Sequence, residues 1–451
     1  MKPFFALLLL FVLSLPTSVR AENLLEILEL AIKHDATYQA AKFKARSVDE
    51  KVVQARAALL PSVGATYSFS ESDGESLQFE QDGIAPPQQV VRESLSETTN
   101  LNVSLNQVIY NHRNYENLSI AKKLVQQESY ALQFELQNLI IRAAEAYLNV
   151  LSAEDEVTFK KAESKAIGQQ LEQTKQRYNV GLIAITDVHQ AQADFDRAKA
   201  DRIVSQNTLD NRREALRQIT GRYHQKLQSL GKSLKLEKPK PDSVDRWVEI
   251  AKENNIGIKR QQIAVSIARD QIGVEQAGHY PTLSFNASYS DSETVLPDIP
   301  GSFGNSSFNG TTLGLTLNVP LFSGFATHSK TREQRYLFQE ASQNLELAHR
   351  EAQRNTRSAY LGVIAGISSV RAFSQALVSN ESALEATQAG FEVGTKTIVD
   401  VLLATRGLFQ AKSQLSRAKY DYMLNVLRLR QAAGVLKRED IVELNSWLKK
   451  G

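Results

Sequence analysis

The rhythm of apolar and polar residues changes along this chain, and the changes divide it. In four short segments the period is two. Val63, Ala65, Tyr67 and Phe69 alternate with Gly64, Thr66 and Ser68, and Leu101, Val103 and Leu105 alternate with Asn102, Ser104 and Asn106. Leu283, Phe285, Ala287 and Tyr289 alternate with Ser284, Asn286 and Ser288, and Leu313, Leu315, Leu317 and Val319 with Gly314, Thr316 and Asn318. These patterns predict four β-strands, at 61–70, 100–110, 281–290 and 312–322, with long polar loops near 70–99 and 290–311. Elsewhere the period is helical. Leu132, Leu136, Leu139, Ile140, Ala143, Tyr147, Val150 and Leu151 fall on one face. The prolines leave 88–238 and everything after 320 free of helix breakers. One segment, 111–178, reads as a single helix of roughly 68 residues and about 100 Å, taller than any compact domain.

The pattern then repeats. Pro61 matches Pro281, "AEAYLNV" (144–150) matches "RSAYLGV" (357–363), and "LRQITG" (216–221) matches "LRQAAG" (429–434). "RYNVGLIAITDV" (177–188) returns as "GFEVGTKTIVDV" (390–401). The first repeat spans 22–230: a helix, two strands, the long helix 111–178, a tip turn at 179–187 and a return helix at 187–220. The second spans 244–451: a helix, two strands, the long helix 323–390, a tip turn at 391–400, a return helix at 397–434 and a C-terminal segment, 435–451. The linker 231–243 holds "GKSLKLEKPKP"; its four lysines read as a solvated connection rather than a binding patch. Each long helix is matched in length by two shorter ones, 24–60 with 187–220 and 397–434 with 243–280. Each half therefore runs down one column and returns along a stacked pair, giving four helical columns and four strands per chain.

Composition narrows the class. Lys2, the apolar run Phe4–Leu15 and Val19-Arg20-Ala21 predict an export signal over residues 1–21, too short for a membrane span. No other apolar stretch approaches that length. The chain has no cysteine, which excludes disulfides, thiolate metal sites and a lipidated mature N-terminus at Glu22. The net charge of +3 gives no sign of a nucleic-acid partner. The seven histidines are scattered without ligand spacing, and no phosphate loop, nucleophile elbow or paired catalytic carboxylates occur. The expectation is no metal, no cofactor and no enzyme.

Four strands alternating apolar and polar read as transmembrane barrel strands, but four cannot close, and open edges are not tolerated in lipid. Two chains give eight strands and a filled interior; three give twelve and begin to leave a channel. A soluble sandwich with appended coiled coils gives no reason for export, for duplication or for such helices. A periplasmic coiled-coil adaptor or structural protein is the alternative function; it explains long hairpins but not two amphipathic strand pairs.

The chain resembles the TolC family of outer-membrane efflux and secretion channels, in its non-lipidated branch. The resemblance rests on "ENLLEI" after the signal, "LPSV" and "HYPTL" at the strand starts, "RYNVGLIAITDV", "LRQITG" and "VGTKTIVDVLLATRGLFQAKSQLSRAKYDYMLNVLRLRQAAG". It implies an α+β membrane fold: a homotrimer with a twelve-strand transmembrane β-barrel in outer-membrane lipid, four strands per chain. A twelve-helix periplasmic α-barrel of coiled coils with a mixed equatorial belt continues it. The implied partners are a periplasmic adaptor protein and an inner-membrane pump or ABC exporter. Both turns then lie at the periplasmic tip, with Gly181 and Gly394 suited to helix C-termini and Thr186 and Thr397 to N-caps. The resemblance places Asp400 at the pore constriction, where three copies form a carboxylate ring. Leu403 stands where close relatives carry a second Asp, so one ring is expected instead of two. Links among Thr186, Asp187 and Lys396 are implied to hold the tip shut. Lys396 replaces a frequent Arg, and Phe391 replaces a Tyr, so packing is expected to carry more of the closure.

Overall fold

The computed structural model describes residues 21–80, 83–84, 86, 88–231, 234–296 and 305–448. The export signal expected at 1–21 thus lies outside the described residues apart from Ala21, as do Lys232 and Ser233 of the linker. The order of elements is α1 (Leu24–His34), α2 (Ala36–Ala57), β1 (Ser62–Glu80), β2 (Gln88–Tyr110), α3 (His112–Asn179), α4 (Ile185–Thr220), α5 (Val244–Asn254), α6 (Ile256–Gln276), β3 (Thr282–Val295), β4 (Ser306–Asn318), α7 (Ala326–Glu392), α8 (Ile398–Ala432) and α9 (Arg438–Asn445). The chain forms two compact units, one from 43–130 with 259–348, the other from the remaining segments.

The first of these units holds one antiparallel sheet in the order β1-β2-β3-β4. Its register runs Val63↔Leu105, Leu105↔Ala287 and Ala287↔Leu313, so the apolar sets of all four strands share a face. Gly64, Ser104, Ser288 and Thr312 form the corresponding polar row on the other face. The apolar face is bare: Val63, Tyr67, Phe69, Leu313, Leu315 and Leu317 are all exposed. A water-soluble sheet rarely leaves so much contiguous apolar surface open, whereas a barrel strand shows this face to lipid. Along the strands the row ends in acid. Glu71, Asp73 and Glu75 follow Phe69 in the same parity, and Asp291 and Glu293 follow Tyr289. That acidic band is one limit of the apolar belt.

The strands depart from the expected limits. β1 and β2 run well past 61–70 and 100–110, pairing as far as Glu80↔Gln88; β3 likewise continues to Val295. The period-two signal stops at the acidic limit, but backbone pairing needs no apolar side chain to continue. β4 begins earlier than expected, at Ser306, and ends at Asn318 rather than 322. Pro320 supplies no N–H to prolong the ladder.

The second unit is a helical core. Leu139, Ala143, Tyr147 and Leu151 of α3 meet Leu24, Ile27 and Leu28 of α1, Val363 and Ile367 of α7, and Met423 and Leu427 of α8. The Tyr147 hydroxyl is satisfied by donating to the Gln228 carbonyl at 2.8 Å. Segment 227–230 pairs with both ends of the described chain, through Glu22↔Leu227 and Leu230↔Leu448 bridges. Farther along, Leu234 and Leu236 pack on the core. Lys238 and Lys240 pair with Asp242 (2.8 Å) and Glu237 (3.4 Å) at the surface.

Two helices expected to be continuous are broken. The expected helix 24–60 divides at Asp35, which is extended (φ −64°, ψ 115°). Its carboxylate accepts from Tyr38 N–H (2.7 Å) and pairs with Arg142 (2.9 Å). The expected helix 243–280 divides at Asn255 (ψ 124°), which accepts from Ile258 N–H at 3.2 Å. One residue that ends a helix and caps the next leaves the apolar period intact, so no gap shows in the sequence. α7 also corrects an expectation: it contains a window of mean hydropathy 1.5, apolar enough to cross a membrane. Tyr360, Val363, Ile367 and Val370 of this helix join the helical core, while only 17% of the apolar window is buried within one chain.

Candidate functional site

Both turns follow the same backbone plan. α3 ends in Gly181 at φ +75°, with Gly181 N–H donating to Tyr178 O (2.9 Å) and Leu182 N–H to Arg177 O (2.9 Å). α7 ends in Gly394 at φ +81°, with Thr395 N–H donating to Gly390 O (2.8 Å). These are left-handed C-terminal caps, where a Cβ is strained. Beneath the turns lies a small separate core of Ile167, Leu171, Ala191, Ala198, Phe391, Ile398, Val401 and Leu402.

The two return helices start differently. Thr397 caps α8: its hydroxyl accepts from Asp400 N–H (3.3 Å), while the Asp400 carboxylate accepts from Thr397 N–H (2.9 Å) and the Thr397 hydroxyl (2.8 Å). These bonds, the backbone one foremost, hold the Asp400 carboxyl below its ordinary pKa, and Lys396 adds to the effect. Thr186 does not cap α4. The N-cap is Ala184, without a side-chain bond, and Thr186 sits inside the first turn beside Asp187. The expected cap fails because the helix already begins at Ile185, which makes Ala184 the capping position and leaves Thr186 as the second helical residue.

Neither Thr186 nor Asp187 contacts Lys396 within the chain, among the described residues; Lys396 instead folds back over Gly390. Other groups join the two hairpins. The Arg177 guanidinium lies 4.2 Å from the centroid of the Phe391 ring, and its Nη1 donates to the Phe391 carbonyl at 3.4 Å. Phe391 is itself buried in the small core. Farther from the turns, Arg406 of α8 pairs with Asp194 of α4 at 2.6 Å, and Gln190 donates to the same carboxylate at 3.1 Å. Deeper still, three successive acids of α3 hold both return helices: Glu154 pairs with Arg213 (2.9 Å), Asp155 accepts from Tyr420 (2.9 Å), and Glu156 accepts from Ser413. Burial, reinforced by Asp155, pushes the Tyr420 phenol far above its ordinary pKa.

The model of the family described as outer membrane efflux protein matches residues 27–222 and 247–435, nearly the whole of both repeats. The chain belongs to the outer membrane efflux protein family. It is 38% identical to the outer membrane protein TolC of Vibrio cholerae over 438 residues, covering 97% of this chain and 96% of that one. To the outer membrane protein TolC of Escherichia coli it is 35% identical, covering 96% of this chain and 86% of that one. Among solved structures, the Campylobacter jejuni CmeC outer membrane channel superposes with a TM-score of 0.75 at 15% identity, covering 95% of this chain and 90% of that one. The fold is therefore that of the outer-membrane efflux channels, each chain supplying a four-stranded sheet and long helical hairpins, and the outer membrane is its location.

Within this family frame, Asp400 and Leu403 fall on the first turns of α8, Leu403 with 57% of its surface exposed. Sequence reading missed Arg177 and the Asp194–Arg406 pair. Asp194 carried a signal: it lies at helical spacing between Ala191 and Ala198, a charge in a small apolar stripe, and its carboxylate is buried. Arg177 carried none, because cation–π partners on different hairpins share no sequence spacing.

Proposed function

We propose that three copies of this chain close one barrel and act as a passive exit duct across the outer membrane. The carrying observation is the sheet: four strands, apolar on one face only, with β1 and β4 each left with a free edge. In lipid those edges need partners, and copies of the same sheet supply them. Twelve strands leave a lumen, whereas eight are filled by their own side chains. The duct carries efflux or secretion cargo delivered by an inner-membrane pump or ABC exporter through a periplasmic adaptor protein. It performs no covalent chemistry.

The gate lies at the two turns. Asp400 lines the constriction as one carboxylate ring, which favours cations; its place at the start of α8 and its lowered pKa support a charged ring at neutral pH. Lys396 of one chain links to Thr186 or Asp187 of the next, a link that no single chain makes among the described residues. Inside each chain, Arg177 on Phe391 ties hairpin to hairpin. Planar-bilayer recording tests this reading. The protein should form cation-selective pores of low conductance, and absence of any channel from correctly assembled protein would refute it.

A further inference from the structure

The hairpin of β1 and β2 outruns the rest of the sheet. β3 pairs with β2 only as far as Glu97↔Val295, whereas β1 and β2 stay paired from Ser72↔Ser96 out to Glu80↔Gln88. Over that stretch the two strands form a ribbon with no third strand beside them among the described residues. β4 of a neighbouring copy, Ser306–Asn318, is too short to accompany the whole of β1, Ser62–Glu80. The ribbon extends for about 30 Å, at roughly 3.4 Å per residue. It begins at the acidic band and leads away from the helices, which adjoin the other end of the strands at His112 and Ala326.

Past the acids Glu71, Asp73 and Glu75 the ribbon turns apolar again. Leu77 stands directly opposite Val91, and Phe79 follows two residues on. Leu77 is 65% exposed, Phe79 74% and Val91 56%. An isolated two-stranded ribbon is marginal in water, and apolar side chains near its end add surface that gains by being covered. Lipid does not cover them. Phe69, the last apolar residue of the row before the acids, lies eight residues back from Leu77, about 27 Å along the strand. A two-stranded ribbon also twists more strongly than a wide sheet, so the side that faces lipid at Phe69 has turned by Leu77.

The barrel itself supplies the cover. Twelve strands about 4.8 Å apart and tilted by about 40° make a wall of radius about 12 Å. A ribbon of about 30 Å reaches past the axis of such a wall. We propose that the three ribbons lean over the external mouth and pack Leu77, Phe79 and Val91 of one copy against the same residues of the other two, forming an outer lid. The inference rests on the reading of three chains closing one barrel. The occupant of each apolar tip is a second copy of this chain, for two reasons. The barrel places two identical tips within reach of every ribbon. β1 is also an edge strand, whose inner part meets a neighbouring copy in the closed barrel, so the contact continues an interface the barrel already needs. Three apolar side chains per copy make a small contact, one that cargo pushed from below can part.

The chain has no cysteine, so single cysteines report directly. Phe79→Cys and, separately, Val63→Cys are made in the full-length protein, reconstituted in phospholipid vesicles and treated with a short bis-maleimide. Native mass spectrometry first checks that each variant assembles. Copies of Val63 on the wall stand about 20 Å or more apart and should run as single chains on a denaturing gel. Phe79→Cys should give cross-linked chains in most assemblies. Three-chain assemblies in which Phe79→Cys cross-links no more than Val63→Cys would overturn the lid. Monomers alone would instead overturn the barrel reading, and the lid with it. Coverage of the mouth is measured in whole cells at Ser68→Cys, on the polar face of β1, with a bulky maleimide that does not cross membranes. Adding Leu77→Ser, Phe79→Ser and Val91→Ser together should speed its labelling several-fold. An unchanged rate would mean that the tips leave the mouth open, which also overturns the lid.

Discussion

Under the proposed gate at the two turns, the Arg177–Phe391 contact is the link whose loss should weaken closure most selectively. Arg177→Ala removes a guanidinium 4.2 Å from the ring centroid and a 3.4 Å bond to the Phe391 carbonyl. A cation–π contact at a partly exposed site contributes about 0.5–1 kcal/mol. The long hydrogen bond belongs at the weak end of its range, about 0.5 kcal/mol. Each chain then loses about 1–1.5 kcal/mol. If the three tips open in concert, the gate feels about 3–4.5 kcal/mol, a shift of roughly 150-fold to 2,000-fold in the closed–open ratio. Single-channel recording in planar bilayers should show a higher conductance or a much larger open fraction for Arg177→Ala. Arg177→Lys should fall between the two, since an ammonium keeps the charge without the planar stacking surface. Phe391→Leu should resemble Arg177→Ala, retaining apolar volume in the small core but losing the ring. If Arg177→Ala assembles normally and conducts as the unaltered protein does, the contact is packing and not a latch.

Lys396→Ala should also raise conductance, through a link worth about 0.2–1 kcal/mol per chain at a wet site, and Phe391→Tyr should leave it unchanged or lower it; an unaltered Lys396→Ala channel would remove that residue from the gate. Asp400→Ala should lower cation selectivity and relieve block by trivalent cations, while unchanged selectivity would leave Asp400 as a helix cap alone. Because hydrogen bonds from Thr397 depress the Asp400 pKa, its carboxylate should persist as pH falls through the ordinary range and be lost only below it. Cap stability and cation selectivity should therefore decline together at that lower pH, and a decline centred at or above the ordinary carboxylate value would contradict the assignment. Arg406→Ala leaves the buried Asp194 carboxylate with Gln190 alone. With Arg406 itself a third exposed, the expected cost is about 1–3 kcal/mol, read as a lower thermal midpoint; an unmoved midpoint would show the pair to be dispensable.

Much of this architecture is written in local pattern. Period-two runs located all four strands because one face of each is apolar, as at Val63 to Phe69. Their full lengths were hidden, since beyond Glu71 the ladder continues through mostly polar residues, and the acids Glu71, Asp73 and Glu75 interrupt the apolar row before Leu77 and Phe79. Glycines at 181 and 394 marked the turns because a left-handed residue is required there. The helix breaks at Asp35 and Asn255 were not legible: a single residue with an extended backbone interrupts hydrogen bonding without disturbing the 3.6-residue period. At the tip, Thr397 capped as its position before "IVD" suggested, whereas Thr186 did not, although "ITD" looks nearly the same. The helices begin at matching residues, Ile185 and Ile398; the difference lies in the residue before them, Ala184 in one repeat and Thr397 in the other, with Thr186 already inside the helix. Long-range contacts such as Arg177 with Phe391 depend on how hairpins pack, which no spacing encodes.

The central claim is that one duct is built from three chains. Native mass spectrometry of the protein extracted from outer membranes in mild detergent measures this directly. Three times the mass of the processed chain, persisting after the detergent is stripped in the gas phase, is the expected result. Monomers alone would leave the edges of β1 and β4 unexplained, and dimers would mean an eight-stranded barrel without a lumen; either would contradict the proposed duct.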